Sequence, residues 1–235
     1  MRPKSEFSKV IGLLQKHYGP PKPPEVTRPL EMILWENVVY LASDERRSLA
    51  LEALRRQVGL HPAKILAASH KKLEEITRMA GILATNQVRK LRRIAQIAHD
   101  EFDDNLDRVL KQPLPQAKRL LQKFPGIGEP GAEKILLFSK THPILALESN
   151  GLRVLLRLGF GEEGKNYAAT YHSVQDAVSG SLHANCDALI CAHQLLRRHG
   201  QELCRRSRPL CPSCPLTHVC MFYLRSRGST QCSGS

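Results

Sequence analysis

The chain has 235 residues, with 35 Lys+Arg against 22 Asp+Glu, a net charge of +13 and aromatics at only 5%. That length can bury one large core or two small ones, and the excess positive charge favours a polyanion, nucleic acid being the commonest. No apolar signal-peptide core opens the chain and no run approaches the roughly 18 apolar residues of a membrane span, which sets aside a membrane role and points to a cytoplasmic protein whose thiols stay reduced.

In chain order the elements read as helices. Residues 1–17 form an N-terminal helix, ended by the stiff linker Tyr18-Gly-Pro-Pro-Lys-Pro-Pro. The next helix, over residues 30–41, is apolar nearly all round and should be buried. Glu36 and Asn37 inside it then need partners or a cavity, and a ligand pocket would supply one. Leu51, Leu54 and Val58 repeat at helical spacing, as do Val88, Leu91, Ala95 and Ala98. Gly59 and Pro62 bracket a turn between two helices, and Ser69 offers an N-cap. Pro113 and Pro115 break the chain before another helix. Basic clusters recur at Arg89–Arg93, Lys118-Arg119, Arg197-Arg198 and Arg205–Arg208. Each alone is a solvated face; several together favour phosphate contact. Residues 225–235 are Ser/Gly-rich and read as a disordered tail.

Two motifs carry chemistry. In Leu120-Leu-Gln-Lys-Phe-Pro125-Gly126-Ile127-Gly128-Glu-Pro-Gly-Ala132 a helix runs into a tight glycine hairpin, and a second helix opens near Glu129 with Pro130 in its first turn. The N–H groups of that turn suit a phosphate oxygen. Ile127 would anchor the hairpin between its helices. The alternative is an ordinary glycine turn. The second motif is Cys204, Cys211, Cys214 and Cys220, spaced C-x6-C-x2-C-x5-C. Soft thiolates select zinc or an iron–sulfur cluster. Structural zinc usually takes two close pairs, whereas here only Cys211 and Cys214 are close, which favours [4Fe–4S] over zinc or plain thiols. Pro209, Pro212 and Pro215 stiffen the loop. Cys186 and Cys191 read as small buried hydrophobes, and Cys232 as idle.

A Pro-Gly-Ile-Gly hairpin upstream of this cysteine pattern resembles the endonuclease III family, helix–hairpin–helix DNA glycosylases with a [4Fe–4S] loop, over roughly residues 10–222. The resemblance implies an all-α, two-lobed fold with a DNA-binding cleft between the lobes. Residues 28–141 would form a six-helix barrel lobe with the hairpin. Residues 1–27 and 142–224 would form the cluster-bearing lobe. It implies a monomer acting on double-stranded DNA with a lesion or mismatch, nucleoid-associated in a bacterium, which flips a base from the duplex and breaks its N-glycosidic bond.

The family's catalytic Asp aligns without gaps on Glu148, in Leu145-Ala-Leu-Glu148-Ser-Asn-Gly-Leu-Arg-Val154. A fixed anion there would stabilise the positive charge that develops on the sugar. The lyase Lys of bifunctional members falls on Pro130, which has no amine, so the resemblance implies a monofunctional glycosylase. Lys134, one turn on, would lean back toward Pro130 as a phosphate contact or a displaced nucleophile. Ile82 and Leu41 match the side chains that fill the gap after flipping. Glu36 and Asn37 would line the lesion pocket, the alternative being a helix end that meets water or a structural hydrogen bond. The competing readings are a damaged-DNA-binding protein that does not cleave, and a zinc-bearing nucleic-acid module.

Overall fold

The computed structural model describes residues 5–39, 42–79, 84–181 and 185–229; Leu41, Ile82 and Cys232 lie outside them. It is helical, with no strand among the described residues. Nor is any helix there long and apolar enough to cross a membrane. The chain divides into two compact units, one of residues 24–142 and one joining residues 1–23 to 143–235.

The 24–142 unit holds α2 (Pro29–Asn37), α3 (Asp44–Gln57), α4 (Pro62–Ala67), α5 (His70–Arg78), α6 (Ala84–Phe102), α7 (Asp107–Leu110), α8 (Leu114–Leu121) and α9 (Glu129–Phe138). Helix α6 is its axis. Val88, Leu91, Ile94, Ala95 and Ala98 recur on one stripe and are buried, and α2, α4 and α5 pack onto it. Ser43 and Ser69 cap α3 and α5 through the N–H groups of Arg46 and Lys72. Helix α2 stops at Asn37, earlier than its apolar run suggested. The β-branched Val38 and Val39 that follow are poor at prolonging a helix.

An ion triad clamps the two hairpin helices. Lys118 on α8 donates to Glu129 in the first turn of α9 and to Glu133 one turn later, the latter at 2.8 Å. Glu133 has no exposed side-chain surface. Burial would lower the Lys118 pKa, but the hydrogen bonds to the two carboxylates raise it overall.

The second unit holds α1 (Ser5–Tyr18), α10 (Ser149–Leu158), α11 (Tyr167–Val178), α12 (Cys186–Glu202) and α13 (Met221–Ser229), with 3-10 turns at Cys211–Ser213 and Thr217–Val219. Helices α1 and α10 both pack on α12. Phe7 of α1 meets Phe160 edge to face at 5.9 Å in the same core. Where α10 crosses α12 the backbones nearly touch. A Cβ on Gly200 would lie 2.7 Å from the Asn150 Cβ and 2.8 Å from its carbonyl oxygen. Helix α13 runs to Ser229, into the stretch expected to be a disordered tail from residue 225. Phe222 anchors it, stacked 4.7 Å from the Arg157 guanidinium. Cys186 and Cys191 are half-buried rather than buried.

Two substitutions test these contacts by denaturant unfolding. Lys118→Met removes the cation beside a buried carboxylate and should destabilise by about 3 kcal/mol, part of it recovered by adding Glu133→Gln. Gly200→Ala gains about 1 kcal/mol of helix propensity. The clash with Asn150 costs about 1–3 kcal/mol and is expected to win, so a stabilised variant would contradict the close approach.

Candidate active site and cysteine loop

Glu148 is the N-cap of α10. Its Oε1 accepts from the Gly151 N–H and its Oε2 from the Asn150 amide, both at 2.7 Å. The side chain is half-buried. Three side chains pin the segment leading into it. Gln175 donates to the Leu145 carbonyl at 3.1 Å, and His193 Nδ1 lies 2.7 Å from the Ala146 carbonyl. The Tyr171 hydroxyl accepts from the Leu147 N–H at 3.4 Å. Tyr167 stacks on Tyr171 at 6.1 Å and stays 50% exposed. Burial, then the charge of Glu148, pushes its phenol pKa up. The result is one carboxylate with a fixed orientation beside an exposed aromatic ring.

The same turn is tied to the cysteine loop. Arg153 Nη2 donates to Asn150 Oδ1 at 2.7 Å and to the Gly200 carbonyl at 2.8 Å, while its Nε donates to the Cys204 carbonyl at 3.0 Å. One turn on, Arg157 donates to the carbonyls of Arg205 and Arg206 at 2.7 and 3.1 Å, and to the Cys204 sulfur at 3.3 Å. Neither arginine stood out in the sequence. The signal that could have found Arg153 is the Glu-x-Asn-x-x-Arg spacing that starts at Glu148, and Arg157 follows it by one helical turn.

Cys204, Cys211, Cys214 and Cys220 are half-buried free thiols. With Val154, Leu158 and Leu216 they line a small pocket, partly open to solvent. Among the described residues no group of three or more His, Cys, Asp or Glu side chains converges as a single-ion site would require. The donor chemistry suits a soft metal centre, four thiols with the Leu216 N–H pointing at the Cys214 sulfur from 3.4 Å. Burial pushes the Cys214 thiol up to about 11, and the neighbouring cysteines add to the shift against that N–H. Burial and the neighbouring thiols also raise Cys211. Thiols that resist ionising together gain most from a bound cation.

His199 is 1% exposed, with Nε2 3.5 Å from the Cys214 sulfur and Nδ1 3.1 Å from the Tyr18 hydroxyl. Burial, then His17, lowers its pKa to about 4. Burial, then Glu202, raises that of Tyr18 to about 12. His218 is exposed.

In the 24–142 unit the hairpin has the expected local geometry. Gly126 has φ +74°, and a Cβ there would also meet Asn37 Oδ1 at 2.9 Å. Ile127 is buried. Gly128 is the N-cap of α9 with no side chain capping it, and Pro130 carries no N–H, so the backbone donors of this turn are those of Gly128, Glu129 and Gly131. Asn37 makes structural hydrogen bonds, the alternative to a pocket role that its burial allowed. Its amide donates to the carbonyls of Ile33 and Pro125, at 3.0 and 2.9 Å, and so ties α2 to the hairpin.

Glu36 and Lys134, 98 residues apart, meet at 2.7 Å. Arg47 also reaches Glu36, at 3.2 Å. The Lys134 ammonium and the Arg47 guanidinium each lie 4.9 Å from the centre of the Trp35 ring. Lys134 is thus engaged by a carboxylate and a ring. Other basic residues also have structural tasks. Arg92 caps the C-terminus of α4 through the carbonyls of Leu66 and Ala68, and Arg198 covers the Tyr18 ring.

No protein-family model matches the chain. Endonuclease III of Sulfolobus acidocaldarius is 24% identical over 184 residues, covering 78% of this chain and 77% of that one. Thymine-DNA glycosylase of Aeropyrum pernix is 22% identical over 172 residues, covering 73% and 72%. A solved structure of a trapped endonuclease III–DNA covalent intermediate superposes with a TM-score of 0.76 at 20% identity, over 97% of this chain and 100% of that one. The chain is similar in sequence to these curated proteins and shares the all-helical fold of the solved endonuclease III structure.

Proposed function

We propose that the protein is a DNA glycosylase of base excision repair, acting as a cytoplasmic monomer. It hydrolyses the N-glycosidic bond of a damaged or mispaired base in double-stranded DNA and leaves the strand intact. The observation that carries this is Glu148, a carboxylate held by two 2.7 Å hydrogen bonds at the start of α10. Breaking the glycosidic bond builds positive charge on the sugar, and a pre-oriented anion stabilises that charge without reorganising. It also orients the attacking water. Glycosylase names among the relatives support the same assignment.

The remaining roles follow from chemistry. The Gly126–Ile127–Gly128 hairpin presents backbone N–H groups and a helix N-terminus to a phosphate, which grips DNA without reading sequence. Lys118 neutralises Glu129, which would otherwise set a negative charge against that phosphate. Ile82 and Leu41 fill the gap left by the extruded base. Glu36, paired with Lys134 beside Trp35, offers polar groups to a base edge. Cys204, Cys211, Cys214 and Cys220 hold a [4Fe–4S] cluster, which when bound crosslinks the loop through four thiolates and adds a redox centre.

Strand cleavage needs an amine nucleophile. Pro130 has none, and the Lys134 amine is engaged by Glu36. The same substitution, with the longer Glu148 side chain, favours a second reading, a protein that binds damaged DNA without cutting it.

A panel of duplexes, each with one altered or mispaired base, separates these outcomes. Abasic sites should accumulate on at least one duplex, with strand breaks only after alkali or heat. Borohydride trapping of a protein–DNA adduct would contradict the hydrolytic route and implicate Lys134. Tight binding with no base released from any duplex would favour the second reading.

A further inference from the structure

We infer that Tyr18 and His199 form a hydrogen-bond relay that holds an N–H against the Cys214 sulfur and so sets the reduction potential of the iron–sulfur cluster. The inference rests on the [4Fe–4S] assignment made above. His199 Nε2 lies 3.5 Å from the Cys214 sulfur, and its Nδ1 lies 3.1 Å from the Tyr18 hydroxyl. A neutral imidazole has one donor and one acceptor nitrogen, and a ligating thiolate only accepts. The proton therefore sits on Nε2, and Nδ1 accepts from the Tyr18 O–H. The second link chooses the tautomer of the first.

The geometry around the relay is fixed. Tyr18 is the last residue of α1, and its ring packs edge-on against His17 and His199 at 4.5 and 6.0 Å. The Arg198 guanidinium covers the ring at 4.6 Å. The carbonyl of His199 accepts from the Leu203 and Cys204 N–H groups at 3.0 and 2.8 Å, so the same residue starts the cysteine loop. Arg157 also donates to a ligand sulfur, but a guanidinium always carries its protons. Only the His199 donor depends on a partner. Removing the Tyr18 hydroxyl takes the hydrogen bond from Nδ1, leaves the imidazole less firmly oriented and weakens the Nε2–H bond to the sulfur. Hydrogen bonds to cluster sulfurs stabilise the more electron-rich reduced state, so losing one lowers the potential. Tyr18 and His199 are positioning residues.

The test uses the full chain carrying its cluster, with iron content, absorbance near about 400 nm and reduction potential measured. Parent protein should hold about four irons per chain. Tyr18→Phe should shift the potential to more negative values and release iron to a chelator faster. In the His199→Gln background, where the amide donates without help from Tyr18, adding Tyr18→Phe should change neither quantity. If Tyr18→Phe alone fails to hold iron, recovery of the cluster in the double variant supports the relay, and no recovery overturns it. Equal potentials in the parent and Tyr18→Phe proteins overturn it as well. Iron-free parent protein overturns the cluster assignment and the relay with it.

Discussion

One guanidinium governs the geometry of the 1–23/143–235 unit. Arg153 binds the side chain of Asn150, the carbonyl of Gly200 and the carbonyl of Cys204, at 2.7, 2.8 and 3.0 Å. These partners belong to the first turn of α10, the end of α12 and the start of the cysteine loop. Asn150 in turn holds one oxygen of Glu148. The orientation of the carboxylate is therefore set by the same group that seats the loop. The close approach at Gly200 makes this possible, since a side chain there would push Asn150 away. Whatever loosens the loop loosens the carboxylate.

This coupling bears on the use of Glu where the related family has Asp. A longer side chain has more freedom, and a displacement of about 1 Å can cost around 100-fold in rate. Here both carboxylate oxygens are tied, and the residues before Glu148 are held by Gln175, His193 and Tyr171. Capping asks of the residue what the proposed catalytic role would ask, an oxygen in a fixed place with negative charge at a helix N-terminus. In the 24–142 unit the logic is repeated with opposite sign. Lys118 neutralises Glu129 and the buried Glu133, leaving the hairpin turn able to meet an anion.

Much of this was legible in the sequence where the signal is local. The Pro-Gly-Ile-Gly turn lies within a few residues, and Gly126 has the positive φ it called for. The α-helical class followed from periodicity, and the Ser69 cap from one residue type. What could not be read was long-range. Tyr18 and His199 are 181 residues apart, as Arg153 and Cys204 are 51 apart, and no spacing rule joins them. Asn37, a polar side chain on a buried helix, needed either a structural partner or a pocket. Its partner is the Pro125 carbonyl, which only the packing of α2 on the hairpin reveals. Arg92 and Arg198 looked like phosphate contacts, yet pattern alone cannot separate a helix cap or a ring cover from a solvated charge.

The most direct test of the catalytic claim is single-turnover base excision by Glu148→Gln on whichever duplex the parent protein processes. Glutamine keeps an oxygen for the Gly151 N–H but sets an NH2 against the Asn150 amide, so folding and DNA affinity are measured beside the loss of charge. Excision is predicted to fall by at least about 100-fold, in line with the loss of a pre-oriented charge at a transition state. A variant that folds, binds and excises as fast as the parent would contradict the assignment of Glu148.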